Sequence, residues 1–265
     1  MSVTPQAHPE QAAGVRVQHL CEGRVAQVTL DLGKGNVIDM ACIAAMREIF
    51  RNLASEESLC AVILDAAGKD FSFGASVEEH APGKVEQMLP ALHELAREVL
   101  NTNVFLVAAI QGRCLGGGLE VALLADRLIA TADASLAQPE VSLGVFAPLA
   151  SALLPHKIGP ANAADLLVSG RTLNGEEALA QGLVQELAGE PTQAAIAWCE
   201  KHLVSKSAVG LRYAVTAARQ DWRSQALETL AELEEAYLGP LQQTADAQEG
   251  IAAFLERRRP AWKDA

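Results

Sequence analysis

The chain has 265 residues, half of them apolar, and a formal net charge of −12. A chain of this size can bury enough apolar surface to fold as one large domain, alone or with a helical extension. The acidic balance excludes a broad nucleic-acid-binding surface, which depends on clustered lysine and arginine. No apolar run approaches the length of a membrane span and no basic leader opens the chain, so we expect a cytoplasmic protein that does not enter the membrane.

The cysteines are odd in number and widely spaced, with no C-x-x-C pair. This pattern is typical of reduced thiols in an intracellular protein and gives no indication of a structural zinc site. We therefore expect the sequence to bind no metal. The five residues are Cys21, Cys42, Cys60, Cys114 and Cys199.

Residues 1–14, with two prolines, are expected to form a loose arm. Short β-branched runs then alternate with helical stretches, which predicts parallel strands and an α/β core over residues 15–191. Because the runs do not alternate cleanly, most strands are expected to be buried on both faces. The predicted strands are 25–32, 60–68, 104–112, 126–133 and 182–187, and the predicted helices are 39–54, 84–102, 117–125 and 159–168.

The strand signal disappears over residues 192–265, where the pattern predicts amphipathic helices at 192–203, 206–221, 224–237 and 243–259. One helical face carries an apolar stripe that we expect to form a subunit contact, although ordinary core packing is the commoner role of such a stripe. A basic cluster at 257–259 is a candidate for binding a small anion, with a solvated helix end as the alternative. The spacing that defines the stripe is that of Leu227, Leu230, Leu233, Glu234 and Tyr237.

Three consecutive glycines, Gly116, Gly117 and Gly118, follow a buried strand and precede a helix. Glycine lets a ligand approach the backbone closely, and a helix N-terminus directs free amides at negative charge. The run therefore fits an oxyanion hole, and it fits tight packing of helix on strand equally well. Glu120 follows among apolar neighbours, so its carboxylate should be partly buried and needs a partner or a catalytic task.

Two further segments complete a possible site. Glu140 follows a proline in a short turn, and Gly74 and Ala75 lie in a loop that could present a second backbone amide. Either segment alone is a weak signal. Two amides that hold an enolate oxygen and two carboxylates that move protons and water are together the groups a thioester reaction requires.

These segments closely resemble, in order and spacing, the two signature regions of the enoyl-CoA hydratase/isomerase (crotonase) superfamily, and the resemblance runs from about Val15 to Asp264. It implies a spiral of stacked ββα units with a C-terminal helical region that forms trimers or dimers of trimers. It also implies oxyanion amides on Ala75 and Gly117 and catalytic carboxylates on Glu120 and Glu140.

The family acts on acyl-CoA thioesters, so coenzyme A is part of the substrate and the resemblance implies no separate cofactor. Phe254 and Arg257 match positions that help hold the CoA of a neighbouring subunit, and Lys34 lies in the family's other CoA-contacting stretch. The remaining positions expected to contact substrate are Phe73, Gly74, Ser76, Gly116 and Phe146.

Two loops depart from the common family pattern. Ser76 stands where an aspartate is usual, and GVFAPLAS at 144–151 replaces a glycine-rich loop, which suggests a reshaped acyl pocket. With FSFGASVEEH at 71–80, this loop looks most like those of the cyclohexa-1,5-dienecarbonyl-CoA hydratases of anaerobic aromatic degradation. That resemblance implies 1,4-addition, in which water adds to the β-carbon and a proton adds to the far end of a cyclic diene.

Other functions remain open: a straight-chain enoyl-CoA hydratase, a double-bond isomerase that manages with one glutamate, a thioester or ring-opening hydrolase, and a non-catalytic crotonase-like binding protein. Two glutamates favour hydration, and an acidic chain with a complete site argues against a binding protein. Phe71 is expected to pack in the core. His80, His93 and His156 are expected to be surface or structural residues, and His80 is the best of them as an acid–base group.

Overall fold

The computed structural model describes residues 10–265. The strands are β1 (Glu10–Ala12), β2 (Val15–Leu20), β3 (Val25–Leu30), β4 (Ala61–Ala66), β5 (Phe105–Ile110), β6 (Arg113–Leu115), β7 (Arg127–Ala130), β8 (Ser135–Ala137), β9 (Thr172–Asn174) and β10 (Glu186–Leu187). The helices are α1 (Met40–Ser55), α2 (Val85–Asn101), α3 (Gly117–Ala122), α4 (Pro148–Ser169), α5 (Gly175–Ala180), α6 (Pro191–Cys199), α7 (Ala208–Leu238) and α8 (Ala245–Leu255).

Two sheets organise the core. The larger has the strand order β1-β2-β3-β4-β5-β7-β10 and is parallel from β3 onward, and the smaller has the order β6-β8-β9. The chain twice passes from the larger sheet to the smaller and then into a helix, through β5, β6 and α3 and again through β7, β8 and α4. These repeated strand-strand-helix passages are the expected spiral of ββα units. Every residue of β4 is buried, as expected for a strand covered on both faces.

The loose N-terminal arm predicted over residues 1–14 is wrong for residues 10–12. Residues 10–12 form β1, which pairs antiparallel with β2, and residues 1–9 lie outside the described part of the chain. The turn between the two strands consists of Ala13 and Gly14, whose φ angles of 46° and 76° are both positive. A two-residue hairpin of type I′ requires that combination, and only the glycine of this pair signals it in the sequence.

The C-terminal region is helical as predicted, but the helices at 206–221 and 224–237 are one helix, α7. No proline or glycine separates the two predicted halves, so nothing in the backbone ends the first. The helix predicted at 159–168 is also longer, because α4 begins at Pro148 and continues through a non-helical Gly159 with a φ of 76°. Strands β6, β8 and β9, which have three residues each, were not predicted.

The apolar stripe of α7 packs within the chain, which contradicts the expected subunit contact. Leu230 and Tyr237 are fully buried in the core, and Leu227 and Leu233 pack against it. Arg219 anchors the same helix: its Nε and Nη2 donate to the two carboxylate oxygens of Asp126 at 2.7 and 2.6 Å. Because Arg219 is also buried, removing either partner would leave an uncompensated charge in the core.

The last helix, α8, lies against the short 3-10 helix Pro139–Leu143. Gly250 makes the contact, since a Cβ at this position would lie 2.0 Å from the carbonyl oxygen of Leu143. The chain beyond α8 folds back, and the backbone amides of Lys263 and Asp264 donate to the carboxylate of Asp246 at 2.7 and 2.8 Å. Among residues 10–265, no helix is both long enough and apolar enough to cross a membrane.

Candidate active site

A cavity of about 430 Å³ lies where α2, α3, the 3-10 helix Pro139–Leu143, α7 and α8 meet. Its walls are mostly apolar, with leucines from α2, Phe146 just before α4 and Phe254 in α8. A few polar groups in an apolar cavity of this size are characteristic of a small-molecule site. The polar side chains are His80, Glu120, Glu140, Ser142, Tyr237 and Arg258.

The three consecutive glycines serve both of the roles that the sequence left open. Gly118 packs tightly, because a Cβ there would lie 2.6 Å from the Cβ of Ser72. Gly116 has a φ of 48°, and a Cβ on it would lie 2.5 Å from Glu140 Oε1, so glycine leaves space for that carboxylate. Gly117 lines the cavity and packs against the loop that contains Ala75.

The Ala75 backbone nitrogen lies close to Gly117 in the cavity wall. A Cβ on Gly117 would lie 2.9 Å from the Ala75 backbone nitrogen. The Ala75 loop is held by Ile38, whose N–H donates to Gly74 O at 2.9 Å and whose carbonyl accepts from Ser76 N at 2.8 Å. Among residues 10–265, neither the Ala75 N–H nor the Gly117 N–H has a hydrogen-bond acceptor, so both donors are available to a ligand.

Glu120 is 4% exposed and reaches the cavity from α3. Its Oε1 accepts a hydrogen bond from Ala150 N at 2.9 Å, in the first turn of α4. Burial raises the pKa of this carboxyl, while the backbone amides of Ala150 and Leu149 act in the opposite direction. Part of the unusual loop at 144–151 is therefore the N-terminus of α4, which supplies free amides to the carboxylate.

Glu140 lies in the 3-10 helix beside Gly116 and lines the same cavity. Burial, followed by the charge of Glu120, raises the pKa of its carboxyl above the usual range. Gln138 is 1% exposed, and with its amide oriented as a donor its nitrogen lies 3.2 and 3.1 Å from the two Glu140 oxygens. Gln138 therefore fixes the orientation of Glu140, a role that the sequence did not indicate.

The two carboxyls titrate as a pair. Each lies in a poorly solvated site, and the charge of one disfavours ionisation of the other, so the two carboxyls lose their protons one after the other and pass through a state with one proton between them. One carboxyl is then an acid while the other is a base. This is the protonation state that addition or removal of water requires.

Five of the remaining predicted substrate positions line the cavity: Phe73, Gly74, Gly116, Phe146 and Phe254. Ser76 lies next to the cavity, and its carbonyl accepts a hydrogen bond from the His80 ring at 2.8 Å. Lys34 is exposed in a turn, and its neighbour Gly35 packs on the Phe73 ring.

The two neighbouring C-terminal arginines differ in their position relative to this cavity. Arg258 lines the cavity and Arg257 does not; Arg257 is exposed and has a φ of 55°. Because this helix end is irregular, heptad or helical spacing could not predict which arginine faces inward. Phe254 lies at the cavity mouth of its own chain with 54% of its surface exposed. Its expected contact with the CoA of a neighbouring subunit stays a prediction.

Aromatic side chains behave largely as expected. Phe71 is fully buried in the core, and Phe146 packs on Tyr237 with ring centroids 5.6 Å apart. His93 is buried and bonded to Glu234, and His156 is exposed on the surface. Among residues 10–265, no three side chains of the kinds that ligate metals are grouped together.

Comparison with known proteins gives consistent results. The sequence profile of the Enoyl-CoA hydratase/isomerase family matches residues 21–265. The chain is 46% identical over 243 residues to the cyclohexa-1,5-dienecarbonyl-CoA hydratase of Thauera aromatica, which covers 92% of this chain and 94% of that protein. It is 32% identical to the carnitinyl-CoA dehydratase of Escherichia coli K12, over 91% of this chain and 95% of that protein.

The fold has close neighbours among solved structures. An enoyl-CoA hydratase from Mycobacterium avium subsp. paratuberculosis superposes with a TM-score of 0.83 over 96% of this chain and 100% of that chain, at 24% identity. The expected crotonase-like architecture is thereby confirmed. The chain belongs to the enoyl-CoA hydratase/isomerase family.

Proposed function

We propose that the chain is an acyl-CoA hydratase whose substrate is cyclohexa-1,5-diene-1-carbonyl-CoA. The observation that carries hydration is the placement of two coupled carboxyls, Glu120 and Glu140, in one cavity with two free amides, on Ala75 and Gly117. The assignment of the cyclic substrate rests on the 46% identity to the Thauera aromatica protein that is named for it.

In the proposed reaction the thioester oxygen lies between the Ala75 and Gly117 amides. The ionised carboxyl removes a proton from one water molecule, and the oxygen of that water attacks the β-carbon. Negative charge moves to the thioester oxygen, where the two amides hold it; in other enzymes the loss of one such donor costs about 2.7 to 4 kcal/mol. The protonated carboxyl supplies the proton that completes the addition.

The walls of the cavity support an apolar acyl group. Leu89 and Leu92 from α2 and Leu143 and Phe146 line the interior, where a carbocyclic ring needs no hydrogen-bond partner. Phe254 and Arg258 lie toward the exposed end, and we assign them to the CoA portion. Lys34 and Arg257 are exposed and do not line the cavity, so we assign any contact of theirs with substrate to the outer part of CoA, whereas Ser76 adjoins the cavity beside Ala75.

We further propose that the protein assembles as a homotrimer or a dimer of trimers, as the family resemblance implies. The apolar stripe of α7 does not supply that interface, since it is buried within the chain. Sedimentation equilibrium of the purified protein would measure the assembly directly, and a monomeric mass would refute this part of the proposal.

The function is tested with purified protein and a set of CoA thioesters: cyclohexa-1,5-diene-1-carbonyl-CoA, a straight-chain 2-enoyl-CoA and a 3-enoyl-CoA. We expect the cyclic dienoyl thioester to gain the mass of one water with the highest kcat/KM. Preference for the straight-chain thioester would replace the proposed substrate, and double-bond migration without added water would indicate an isomerase. Binding without conversion of any thioester would indicate a binding protein.

A further inference from the structure

Tyr237 is a buried hydroxyl group in the cavity that the reaction described above does not use. It lies near the end of α7 and is 1% exposed, and among residues 10–265 its hydroxyl donates to no acceptor, although the Gln242 side chain lies beside it. A buried hydroxyl left unpaired costs free energy, so its retention calls for a group that arrives with the ligand.

The other polar side chains of the cavity are already engaged or lie at its exposed end. Ser142 and Arg258 are exposed, and Arg258 also pairs with Glu249. His80 uses Nδ1 in its bond to Ser76 O, and as a neutral ring it then presents a lone pair rather than a proton at Nε2. Among the polar side chains that line the described cavity, Tyr237 is therefore the interior proton donor other than the two carboxyls.

The proposed substrate creates a need for such a donor. In 1,4-addition, oxygen bonds to the β-carbon and the proton goes to the far carbon of the diene, on the opposite side of the ring. Glu120 and Glu140 are close enough for the charge of one to raise the pKa of the other, so they share one region of the cavity. The β-carbon and the far carbon are different atoms of the ring, so a second proton donor beside the carboxyls can serve the far carbon, and Tyr237 lies near enough to both carboxylates to feel their charge.

We infer that Tyr237 is a catalytic residue that relays the proton to the far carbon of the ring, an inference that rests on the proposed function. Water loses a proton to the ionised carboxyl, and its oxygen bonds to the β-carbon as the thioester becomes a dienolate. The Tyr237 O–H bond breaks, the proton bonds to the far carbon, and the dienolate electrons form the new ring double bond. The tyrosinate then takes a proton from a protonated carboxyl, so the net change is the addition of one water.

The electrostatic surroundings keep the Tyr237 hydroxyl protonated and make it a weaker acid than a free phenol, so its transfer to carbon depends on its placement in the cavity. Burial, followed by the charges of Glu120 and Glu140, raises the pKa of the Tyr237 hydroxyl well above its usual range, while Gln242 acts weakly in the opposite direction. The hydroxyl therefore carries its proton at neutral pH and is a donor. Because the same charges disfavour tyrosinate, return of a proton from a protonated carboxyl to tyrosinate is favourable.

Phe146 fixes the direction of the phenol. Its ring packs on that of Tyr237 at a centroid distance of 5.6 Å and an interplanar angle of 59°. Both side chains line the cavity, and Phe146 belongs to the loop at 144–151 that departs from the common family pattern. The unusual loop and the unpaired hydroxyl are thus parts of one wall.

The test compares Tyr237→Phe with Tyr213→Phe, which removes a hydroxyl from the same helix at a position 76% exposed. We expect Tyr237→Phe to lower kcat for the cyclic dienoyl thioester by at least about 100-fold, the usual size of a general-acid contribution. Its KM for that thioester and its kcat for a straight-chain 2-enoyl-CoA should stay within about 3-fold of the unsubstituted protein, because the latter reaction needs no remote proton. Tyr213→Phe should change neither rate.

Each other outcome refutes a particular statement. Full cyclic activity in Tyr237→Phe refutes the relay and leaves the proposed function intact, as does an equal loss on both substrates. Failure of the unsubstituted protein to hydrate the cyclic thioester refutes both proposals. Should Tyr237→Phe not fold, difluorotyrosine at position 237 retains the ring and lowers the hydroxyl pKa; an unchanged cyclic rate and solvent deuterium isotope effect would then refute the relay.

Discussion

The backbone nitrogen of Ala75 lies 2.9 Å from the point that a Cβ on Gly117 would occupy. The two elements that supply the proposed oxyanion donors therefore approach each other through a gap that only glycine leaves open. Any side chain at position 117 would enter the space in which the thioester oxygen is expected to lie.

Gly117→Ala should therefore lower kcat by about 100- to 1,000-fold, the effect of losing one oxyanion donor. Steady-state hydration kinetics measure the effect, and denaturant unfolding reports any accompanying loss of stability. Gly189→Ala is the matched control, because a Cβ there meets no atom within 4 Å and the backbone does not adopt a positive φ. Wild-type turnover in Gly117→Ala would exclude this pair of amides as the oxyanion hole.

Glu120→Gln and Glu140→Gln should each reduce turnover by several orders of magnitude while the Kd for a CoA thioester changes little. A glutamine at position 120 still accepts the hydrogen bond from Ala150 N, so the loss would reflect proton transfer rather than misplacement. Isothermal titration with substrate analogue and single-turnover kinetics separate the two effects. Glu232→Gln, on an exposed surface, is the control, and substantial hydration by either active-site variant would rule out the paired mechanism.

Glu140→Gln should also change how stability depends on pH. Because the folded-state pKa of Glu140 is raised, the folded protein retains a proton that the unfolded chain has lost, and stability falls as pH rises. The fall begins near the unfolded value of about 4.3 and ends once pH passes the raised folded value. We expect Glu140→Gln to lose this decline and to have the higher Tm above neutral pH, and parallel Tm profiles for both proteins would contradict the raised pKa.

The two neighbouring arginines at the end of α8 give a further contrast. Arg258→Ala should raise the KM for a CoA thioester because Arg258 lines the cavity mouth, and Arg257→Ala should leave KM nearly unchanged if CoA enters through that mouth. The comparison uses one substrate at fixed ionic strength, since surface charge effects are screened by salt. The reverse result would place CoA against a surface outside this cavity.

Much of the site could be predicted because its residues are close in sequence and carry chemistry of their own. The glycine run and Glu120 lie within one turn of a helix, and their apolar surroundings indicate burial. Glu140 and Ala75 depended on resemblance to the family, because a proline followed by a glutamate, or a small residue in a loop, occurs in many proteins for other reasons.

Tyr237, Gln138 and Arg258 were missed as site residues for a different reason. Tyr237 completes an apolar helical stripe, so its spacing predicts packing, and only its polar tip distinguishes it from the leucines. Gln138 is one of many buried polar residues until its distance to Glu140 is known. The short strands of the second sheet gave no signal either, since three residues are too few to show a period.

Gly250 touches the carbonyl of Leu143 with no side chain between the two backbones, and this contact has a consequence for engineering the substrate range. The helix that contains Phe254 and the 3-10 helix that contains Glu140 pack against each other at this contact. A substitution that shifts one of them to admit a larger thioester would therefore also shift the other. Room for bulkier rings should therefore be made by trimming Leu89 or Leu92, which line the interior, while position 250 is kept as glycine. In directed evolution, libraries that spare this contact should yield altered specificity without loss of the proton-transfer geometry.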